Sequence, residues 1–264
     1  MRRDSNPDFI EAVARGLDVI RAFGEVHGLR TLREISDASG LARPTARRVL
    51  ITLEQVGYVR SSEAGYELTP RVMELGMSYL SGTGIWDKAQ APLVDLSTLL
   101  HESCSIGQLD GSDIVYVARA AVPKLVTLSV SLGTRFPAYA TSLGKVILAH
   151  LSPADLDSAL EEPTRSTVRA VWKPSDSELR DELGTIRDQG YALTDQQLAP
   201  GVRSVAVPLR DRDGIVYAAL NVNANSAETS METIHDVYLP ALLQSASTIE
   251  EYRALEQSLP QRRL

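Results

Sequence analysis

A cluster of arginines stands in the N-terminal quarter of the chain, in the segment 41–57. Its members are Arg43, Arg47 and Arg48, and Pro44 follows the first of them. Arginine side chains carry planar donor groups that bind phosphate oxygens and the acceptor edge of guanine. These side chains could therefore recognise nucleic acid, provided that they project from one exposed face.

Two short helices are predicted before the arginine cluster. The first has apolar side chains at helical spacing before Gly24, at Val13, Leu17, Ile20 and Phe23. The second is capped by Thr31, with Glu34 in the capping-box position, and ends at Gly40. Its predicted inward residues are Leu32, Ile35 and Ala38.

The third predicted helix begins at Pro44, a residue favoured in the first turn, and ends at Gly57. Its inward stripe consists of Ala46, Val49, Leu50, Leu53 and Val56. Arg47 and Arg48 then lie on the outward face with Ile51. Two helices joined by so short a turn form a helix-turn-helix, whose second helix enters the major groove of double-stranded DNA.

A predicted hairpin follows, with strand-like runs at 58–60 and 66–68 around a polar loop at 61–65. It would form the wing of a winged helix-turn-helix and contact phosphates, which supply affinity but no sequence information. The predicted DNA contacts are Arg33, Arg43, Pro44, Thr45, Arg47, Arg48, Arg60 and Ser61. The plainer interpretation of these residues is a solvated cationic face and an ordinary polar loop.

Composition excludes several classes of protein. The 264 residues carry a net charge of -7, which excludes a uniformly basic protein that coats nucleic acid. The single cysteine, Cys104, excludes an internal disulfide, and the four histidines are scattered, so we expect neither a metal nor a cofactor. No apolar run has the length of a membrane span. We expect a cytoplasmic protein without membrane contact.

A second domain is predicted beyond a linker helix, which Thr69 caps and which ends near Gly82 and Gly84. The predicted divisions are 1–69 for the winged helix-turn-helix, 70–85 for the linker helix and 86–264 for the second domain. Strands are predicted at 105–109, 114–119, 125–131, 202–209 and 215–223. Helices are predicted at 88–102, 142–150, 153–160, 177–189 and 230–254. The fold class is α+β, with an antiparallel sheet flanked by helices.

One predicted helix, which begins near Ser142, opens two functional alternatives. Backbone N–H groups at its start could bind a small carboxylate, although Thr141 or Ser142 acting as a cap is the simpler interpretation. Ser142 and Lys145 also fit the S-x-x-K pattern of penicillin-recognising acyl enzymes, in which the serine is the nucleophile. No K-T-G triplet accompanies that pattern. A serine acyl enzyme is therefore the weak alternative, and we expect a protein that is not an enzyme.

Several motifs in the same order resemble the IclR family of bacterial regulators over nearly the whole chain. They are Arg15–Leu17, Leu41–Val59, Tyr66–Pro70, Gly133–Lys145, Gly190–Ala192 and Gly201–Pro208. The resemblance implies a winged helix-turn-helix that binds an operator, a linker helix and a C-terminal effector-binding domain similar to GAF domains. It also implies homodimers that commonly pair into homotetramers.

The resemblance further implies an effector pocket. Its residues correspond here to Leu125, Leu128, Ser142, Leu143, Thr194, Asp195, Ser204, Asn221 and Asn223, and we add Thr141 as the possible cap at the helix start. Strand alternation independently places Asn221 and Asn223 on one face. Two amides on a concave face can orient a polar ligand.

Within the family, Arg47-Arg48 and the segments 195–198 and 201–204 are most similar to the subgroup that controls aromatic-acid catabolism, whose effectors are protocatechuate, 4-hydroxybenzoate or β-ketoadipate. Family members usually carry an acid at the position of Gln197 and often one at Thr194, so this pocket has less negative charge and favours an anion. We predict a regulator controlled by a small carboxylic acid. The alternatives are the same fold serving another small-acid pathway, the acyl enzyme, and a sensor that has lost DNA binding.

Overall fold

The computed structural model describes residues 7–24, 28–83, 85–123 and 130–258, without the side chains of residues 80–88 and 256–258. The chain divides into two compact units, Met1–Gly82 and Thr83–Leu264. The predicted linker segment, 70–85, is therefore shared between the two units. Each unit has an apolar core of its own.

The N-terminal unit consists of three helices and a β-hairpin. Its elements are α1 (Glu11–Arg21), α2 (Leu32–Ser39), α3 (Arg43–Gln55), β1 (Val59–Ser62) and β2 (Gly65–Leu68). Val19, Ile35, Leu50 and Val59 meet in the core that these elements enclose. The order of helices, tight turn and hairpin confirms the predicted winged helix-turn-helix.

Helix α2 is capped as predicted, but its inward face differs. The Thr31 hydroxyl and the Glu34 carboxylate each accept a hydrogen bond from the other residue's backbone N–H, and Gly40 ends the helix with a φ of 67°. Ala38 is exposed, and Ser36 is buried instead. The Ser36 hydroxyl donates to a carbonyl oxygen of the following turn at 2.6 Å. A small hydroxyl that satisfies a turn carbonyl therefore takes the place of an apolar contact.

Helix α1 buries only the second half of its predicted stripe, since Phe23 is buried and Ile20 packs against the core as predicted, whereas Val13 and Leu17 do not. Val13 and Leu17 are 59% and 44% exposed, whereas Val19, Ala22 and Phe23 are buried. The core contacts come from the last turns of the helix and the residues just after it, where α1 meets α2 and α3. Helical spacing identifies an apolar stripe but not the elements that cover it.

Pro44 stands in the first turn of α3, where its missing N–H would have no helical partner anyway. Ala46, Leu50 and Leu53 are buried as predicted. Val56, predicted on the same stripe, is 46% exposed because it lies just beyond the last helical residue. The buried face of α3 is therefore one turn shorter than the sequence pattern.

The hairpin pairs β1 with β2 in antiparallel fashion, and one residue upstream of α2, Arg30, pairs with β2 as well. Arg30 and Tyr66 exchange two backbone hydrogen bonds, each 2.8 Å long. At Gly65, which has a φ of 144°, a Cβ would lie only 2.6 Å from the carbonyl oxygen of Arg30. Glycine is required there because both the backbone conformation and the close approach exclude a side chain.

A 3₁₀ turn, Pro70–Val72, leads into helix α4 (Met73–Thr83). The Thr69 hydroxyl accepts a hydrogen bond from a backbone N–H of that turn, which confirms the predicted cap. Gly82, the predicted end of this helix, lies inside it, and Gly84 falls outside the described residues. Apolar side chains of α4 are 49% to 64% exposed, at Met73, Leu75, Met77 and Tyr79.

The C-terminal unit is an antiparallel sheet with the strand order β5-β4-β3-β8-β7-β6, which confirms the predicted fold class. The strands are β3 (Ser103–Asp110), β4 (Asp113–Ala120), β5 (Arg135–Pro137), β6 (Ala192–Asp195), β7 (Val202–Arg210) and β8 (Val216–Asn225). The helices are α5 (Ile85–Leu100), α6 (Ser142–Leu148), α7 (Pro153–Glu161), α8 (Asp176–Gln189), α9 (Met231–Thr233) and α10 (Leu239–Ser258). A π-helical segment, Ile234–Tyr238, joins α9 to α10 and interrupts the long terminal helix that the sequence predicts.

Helix α6 lies against one face of this sheet and contacts β3, β6, β7 and β8. There Leu143 and Val146 pack in one apolar cluster with Ala206 and Ala219. Helices α5 and α10 pack on each other and on the sheet. Because successive strand residues face opposite sides, Val205 and its buried neighbours on the other face remain available to α5 and α10.

The predicted hairpins β3–β4 and β7–β8 are confirmed. Strands β5 and β6 were not predicted because runs of three and four residues are too short to show an alternating pattern. Residues 125–129 of the predicted strand 125–131 lie outside the described residues, and residues 130 and 131 form no strand. In the described part of the chain, no helix combines the length and the apolar character needed to cross a bilayer.

Candidate functional site

The outward face of α3 carries three exposed arginines, Arg43, Arg47 and Arg48. Among the described residues, these guanidinium groups form no ion pair and no side-chain hydrogen bond. Pro44 is exposed beside them, and Thr45 is half-buried. Within the described part of the unit, the guanidinium donors of the predicted recognition face therefore have no hydrogen-bond partner.

The other predicted DNA contacts have partners within the unit. The Arg60 side chain donates to the Glu67 carboxylate at 2.6 Å, which raises the pKa of Arg60, and Arg33 lies 3.8 Å from Asp37. Both arginines remain largely exposed, so either pair could open toward a phosphate. Their charges are nevertheless partly balanced in the free protein, unlike those on α3.

Ser61 of the hairpin is bound to α3. The Glu54 carboxylate accepts one hydrogen bond from the Ser61 N–H at 3.1 Å and one from its hydroxyl at 2.5 Å. Glu54 lies near the C-terminal end of α3. This carboxylate therefore fixes the hairpin relative to the recognition helix, and Ser61 has a structural role before any DNA is present.

A buried polar cluster lies where the start of α6 meets the sheet. The Ser204 hydroxyl donates to the carbonyl oxygen of Val222 at 2.9 Å. Since that donation uses its only hydrogen, the Ser204 oxygen accepts from the Ser142 hydroxyl at 2.7 Å and from the Asn221 amide at 3.0 Å. Ser142, Ser204 and Asn221 are at most 4% exposed. Three predicted effector residues therefore form one hydrogen-bonded group.

Asn223 and Thr194 adjoin this group. The second Asn221 amide hydrogen is donated to the Asn223 side-chain oxygen at 3.1 Å, as strand alternation predicts for two side chains on one face. Thr194 on β6 is paired in register with Ser204 on β7 and is buried. The Oδ1 atom of Asn221 is also buried, and it has no hydrogen-bond partner among the described residues.

The remaining predicted effector residues lie elsewhere or serve the fold. Leu143 is fully buried in the apolar cluster and packs over Gly107. Asp195, which follows Thr194 in the strand and so faces the other side, forms a two-pronged ion pair with Arg203 at 2.8 and 3.1 Å. Leu125 and Leu128 lie outside the described residues.

Thr141 acts as the cap of α6. Its hydroxyl accepts a hydrogen bond from the Gly144 N–H at 3.1 Å. The simpler sequence interpretation, a capping threonine, therefore describes the free protein.

Sequence reasoning missed three residues of the same face, Ser105, Tyr116 and Arg119. The pairing of β3 with β4 shifts so that Ile106 opposes Ala118 whereas Gly107 opposes Tyr116, which leaves Val117 as an extra residue. Such a bulge reverses the alternation of side chains. Tyr116 and Arg119 therefore share the face of the polar cluster although they are three residues apart, and no pattern in the sequence marks that bulge.

These residues place a cation and a phenol beside the asparagines. The Arg119 Nη1 atom donates to the Ser105 hydroxyl at 3.3 Å. The Tyr116 hydroxyl faces the amides of Asn221 and Asn223, and burial raises the pKa of Tyr116 to about 12. Tyr116 is therefore a neutral hydroxyl at ordinary pH, and the positive charge of the cluster comes from Arg119.

Lys145 does not activate Ser142. Its ammonium group is fully buried, donates to the Glu182 carboxylate and to the Gln197 side-chain oxygen at 2.5 Å each, and lies 3.9 Å from the centre of the Trp172 ring. Ser142 instead bonds Ser204. A serine nucleophile needs a base within hydrogen-bond reach, and here the lysine is bound on the α8 side of the helix.

The comparisons with known proteins agree with this arrangement. The family described as the IclR helix-turn-helix domain matches residues 12–63, and the family described as the bacterial transcriptional regulator IclR C-terminal domain matches residues 77–251. A curated relative, the Pca regulon regulatory protein of Pseudomonas putida, is 38% identical over 241 residues, which cover 90% of this chain and 82% of that protein.

Two solved structures are similar over different lengths. A protein from Rhodococcus sp. RHA1 is 40% identical with a TM-score of 0.80, covering 95% of this chain and 100% of that one. The inducer-binding domain of a double mutant of the transcription factor PobR from Acinetobacter, solved as a complex with 3-hydroxybenzoic acid, is 29% identical with a TM-score of 0.57 and covers 64% of this chain and 98% of that one. The chain belongs to the IclR family, and it is a DNA-binding transcriptional regulator rather than an enzyme.

Proposed function

We propose that this regulator binds its operator through α3 and responds to a small aromatic carboxylic acid in the control of aromatic-acid catabolism. The observation that supports operator binding is the position of Arg43, Arg47 and Arg48 on one exposed helical face, where no described residue pairs with them. A guanidinium group in such a position can donate two hydrogen bonds at once to guanine or to a phosphate. Pro44 and Thr45 at the helix start, with Arg33, Arg60 and Ser61 toward the flanking phosphates, complete the proposed contact set.

The proposed effector site is the polar cluster at the start of α6. Buried hydroxyls and amides within an otherwise apolar core fit a small ligand with few polar groups. We assign the site to Ser142, Thr194, Ser204, Asn221 and Asn223. The names of the Pseudomonas relative and of the PobR complex support an aromatic acid as the ligand class.

We also propose that the protein acts as a homodimer or homotetramer. The exposed apolar side chains of α4 support an association surface on the linker helix. An effector that favours one of two DNA-bound arrangements would then shift their populations by its difference in affinity for them.

The experiment has two arms. Duplexes that bind the full chain are selected from a random pool, and their affinity is then measured with and without aromatic, dicarboxylic and short aliphatic acids. We expect a selected sequence whose binding changes with an aromatic acid, together with a raised melting temperature in that acid. A response to aliphatic acids alone would favour the same fold in another small-acid pathway, and the absence of any selected sequence would favour a sensor that has lost DNA binding.

A further inference from the structure

The recognition helix α3 ends in a glycine turn that leaves three consecutive carbonyl oxygens outside its own hydrogen bonds. The N–H groups of Gly57 and Tyr58 donate back to the carbonyl oxygens of Glu54 and Leu53, and Gly57 has a φ of 84°. These two bonds form the Schellman motif, which commonly closes a helix. The carbonyl oxygens of the segment 56–58 take no part in this motif.

The segment 69–71, which leads into the linker helix α4, bonds all three of these oxygens. The Arg71 Nη1 atom donates to the carbonyl oxygen of Val56 at 3.0 Å. The Thr69 hydroxyl donates to the next carbonyl oxygen, that of Gly57, at 2.6 Å, and the Thr69 N–H donates to the one after it at 2.9 Å. Together the two segments form the α3–α4 joint.

Arg71 supplies the cation that the end of α3 lacks. The last turn of α3 contains no basic residue, although the negative end of the helix dipole favours one. The Arg71 guanidinium also lies 5.5 Å from the centre of the Tyr58 ring, within the range of a cation–π contact. Its Nε atom is 3.5 Å from the Glu74 carboxylate in the first turn of α4. One side chain therefore contacts the end of α3, the residue before β1 and the start of α4.

Packing does little to set the direction of α4 within the described part of the N-terminal unit. Four apolar side chains of α4, between Met73 and Tyr79, are 49% to 64% exposed. A helix that buries so little apolar surface is held mainly by the hydrogen bonds at its start. The α3–α4 joint therefore decides how α3 is oriented relative to the linker helix.

A regulator that binds as a homodimer must present two recognition helices at the separation of two half-sites, about one helical turn of DNA or a multiple of it. We propose, on the basis of the operator binding and the dimer proposed above, that Arg71 is a positioning residue. It fixes α3 to the linker helix and so sets the half-site spacing that the protein accepts. Arg71 acts through the orientation of α3 and makes no base contact itself.

The test measures the affinity of the full chain for two duplexes. One is an operator selected from a random pool, and the other is the same operator with two base pairs inserted between its half-sites. The insertion turns one half-site by about 70° around the DNA axis and moves it by about 7 Å along the axis. We expect the wild-type protein to prefer the selected spacing by about tenfold or more. This comparison requires no substitution and so does not depend on a variant that folds.

Variants then assign the spacing preference to Arg71, whose side chain is 53% exposed and lies outside the core. Arg71→Met removes the donors and the charge. It should weaken binding to the selected operator by about tenfold and reduce the spacing preference to about threefold or less, because a loose joint lets α3 follow the displaced half-site. Arg71→Lys, which keeps a cation able to bond Val56, should retain most of the preference. Arg21→Gln, which alters an exposed arginine of α1, should change neither value.

Several results would overturn the positioning role. Equal losses at both spacings in Arg71→Met would do so, and a shallower salt dependence in that variant would identify Arg71 as a phosphate contact instead. Wild-type protein that binds both spacings alike would overturn the role of the joint, while operator binding would stand. A selected operator with a single half-site would overturn the dimer as well, and the absence of any selected duplex would overturn the proposed function itself.

Discussion

The hydroxyl oxygens of Ser142 and Ser204 lie 2.7 Å apart, although the residues are 62 positions apart in the sequence. One stands in the first turn of α6 and the other on β7. Their contact joins the helix to the sheet at the polar cluster, so the geometry of the proposed site depends on both elements at once.

Ser204→Ala should lower the free energy of unfolding by about 1–3 kcal/mol, because it leaves the Ser142 hydroxyl and an Asn221 amide hydrogen buried without their acceptor. Urea unfolding monitored by circular dichroism measures the change. Ser177→Ala, which alters an exposed serine of α8, is the matched control and should have little effect. Equal stability of both variants would contradict the role of Ser204 as the shared acceptor.

Arg47→Ala and Arg48→Ala should each weaken binding to a selected operator by about 1–3 kcal/mol where the arginine makes a paired base contact. Fluorescence anisotropy at fixed salt measures the affinity, and its salt dependence separates base contacts from phosphate contacts. Arg212→Ala, which removes an exposed arginine of the C-terminal unit, should leave the operator affinity and its salt dependence unchanged. An unchanged affinity in both α3 variants would exclude this helix as the recognition element.

Lys145 should make the free energy of unfolding rise with pH in alkaline solution. Burial lowers the pKa of Lys145 from 10.5 to about 8, even though Glu182 acts in the other direction. Between those pH values the unfolded chain binds a proton that the folded chain has lost, so this group makes the folded state more stable as the pH rises. Thermal melts from pH 7 to pH 10 should therefore show wild type gaining relative to Lys145→Met. A constant difference between the two proteins would contradict the lowered pKa.

Gly144→Ala should be strongly destabilising, by about 1–3 kcal/mol or more. A Cβ at this position would lie 2.2 Å from the backbone oxygen of Ala138, so α6 would have to move off its neighbours. Gly184→Ala in α8 is the control, since nothing lies within 4 Å of its Cβ position. That variant should gain about 0.5–1 kcal/mol from helix propensity. Differential scanning calorimetry distinguishes the two, and similar melting temperatures would exclude the close contact.

Local rules predicted the elements whose determinants lie within a few residues. The capping pair Thr31 and Glu34, the αL glycine Gly40 and the shared face of Asn221 and Asn223 all follow from short-range geometry. Each is set by the backbone of its own segment, and the structure confirms it.

Features that depend on distant neighbours could not be predicted in this way. Val13 and Leu17 have the spacing of core residues but lie on the side of α1 that no described element covers. Arg119 reached the polar cluster only because one extra residue in β4 reversed the alternation. Asp195 was assigned to the effector site by resemblance, yet its carboxylate is taken by Arg203 from the neighbouring strand.

The carboxylate of Glu54 has a consequence for how new binding specificities could arise. It clamps the hairpin to the far end of α3, away from the arginines near the helix start. The contact that holds the hairpin and the side chains proposed to read the operator thus lie toward opposite ends of α3. Replacing the outward side chains of the first two turns could retarget the protein to another promoter while the clamp stays untouched.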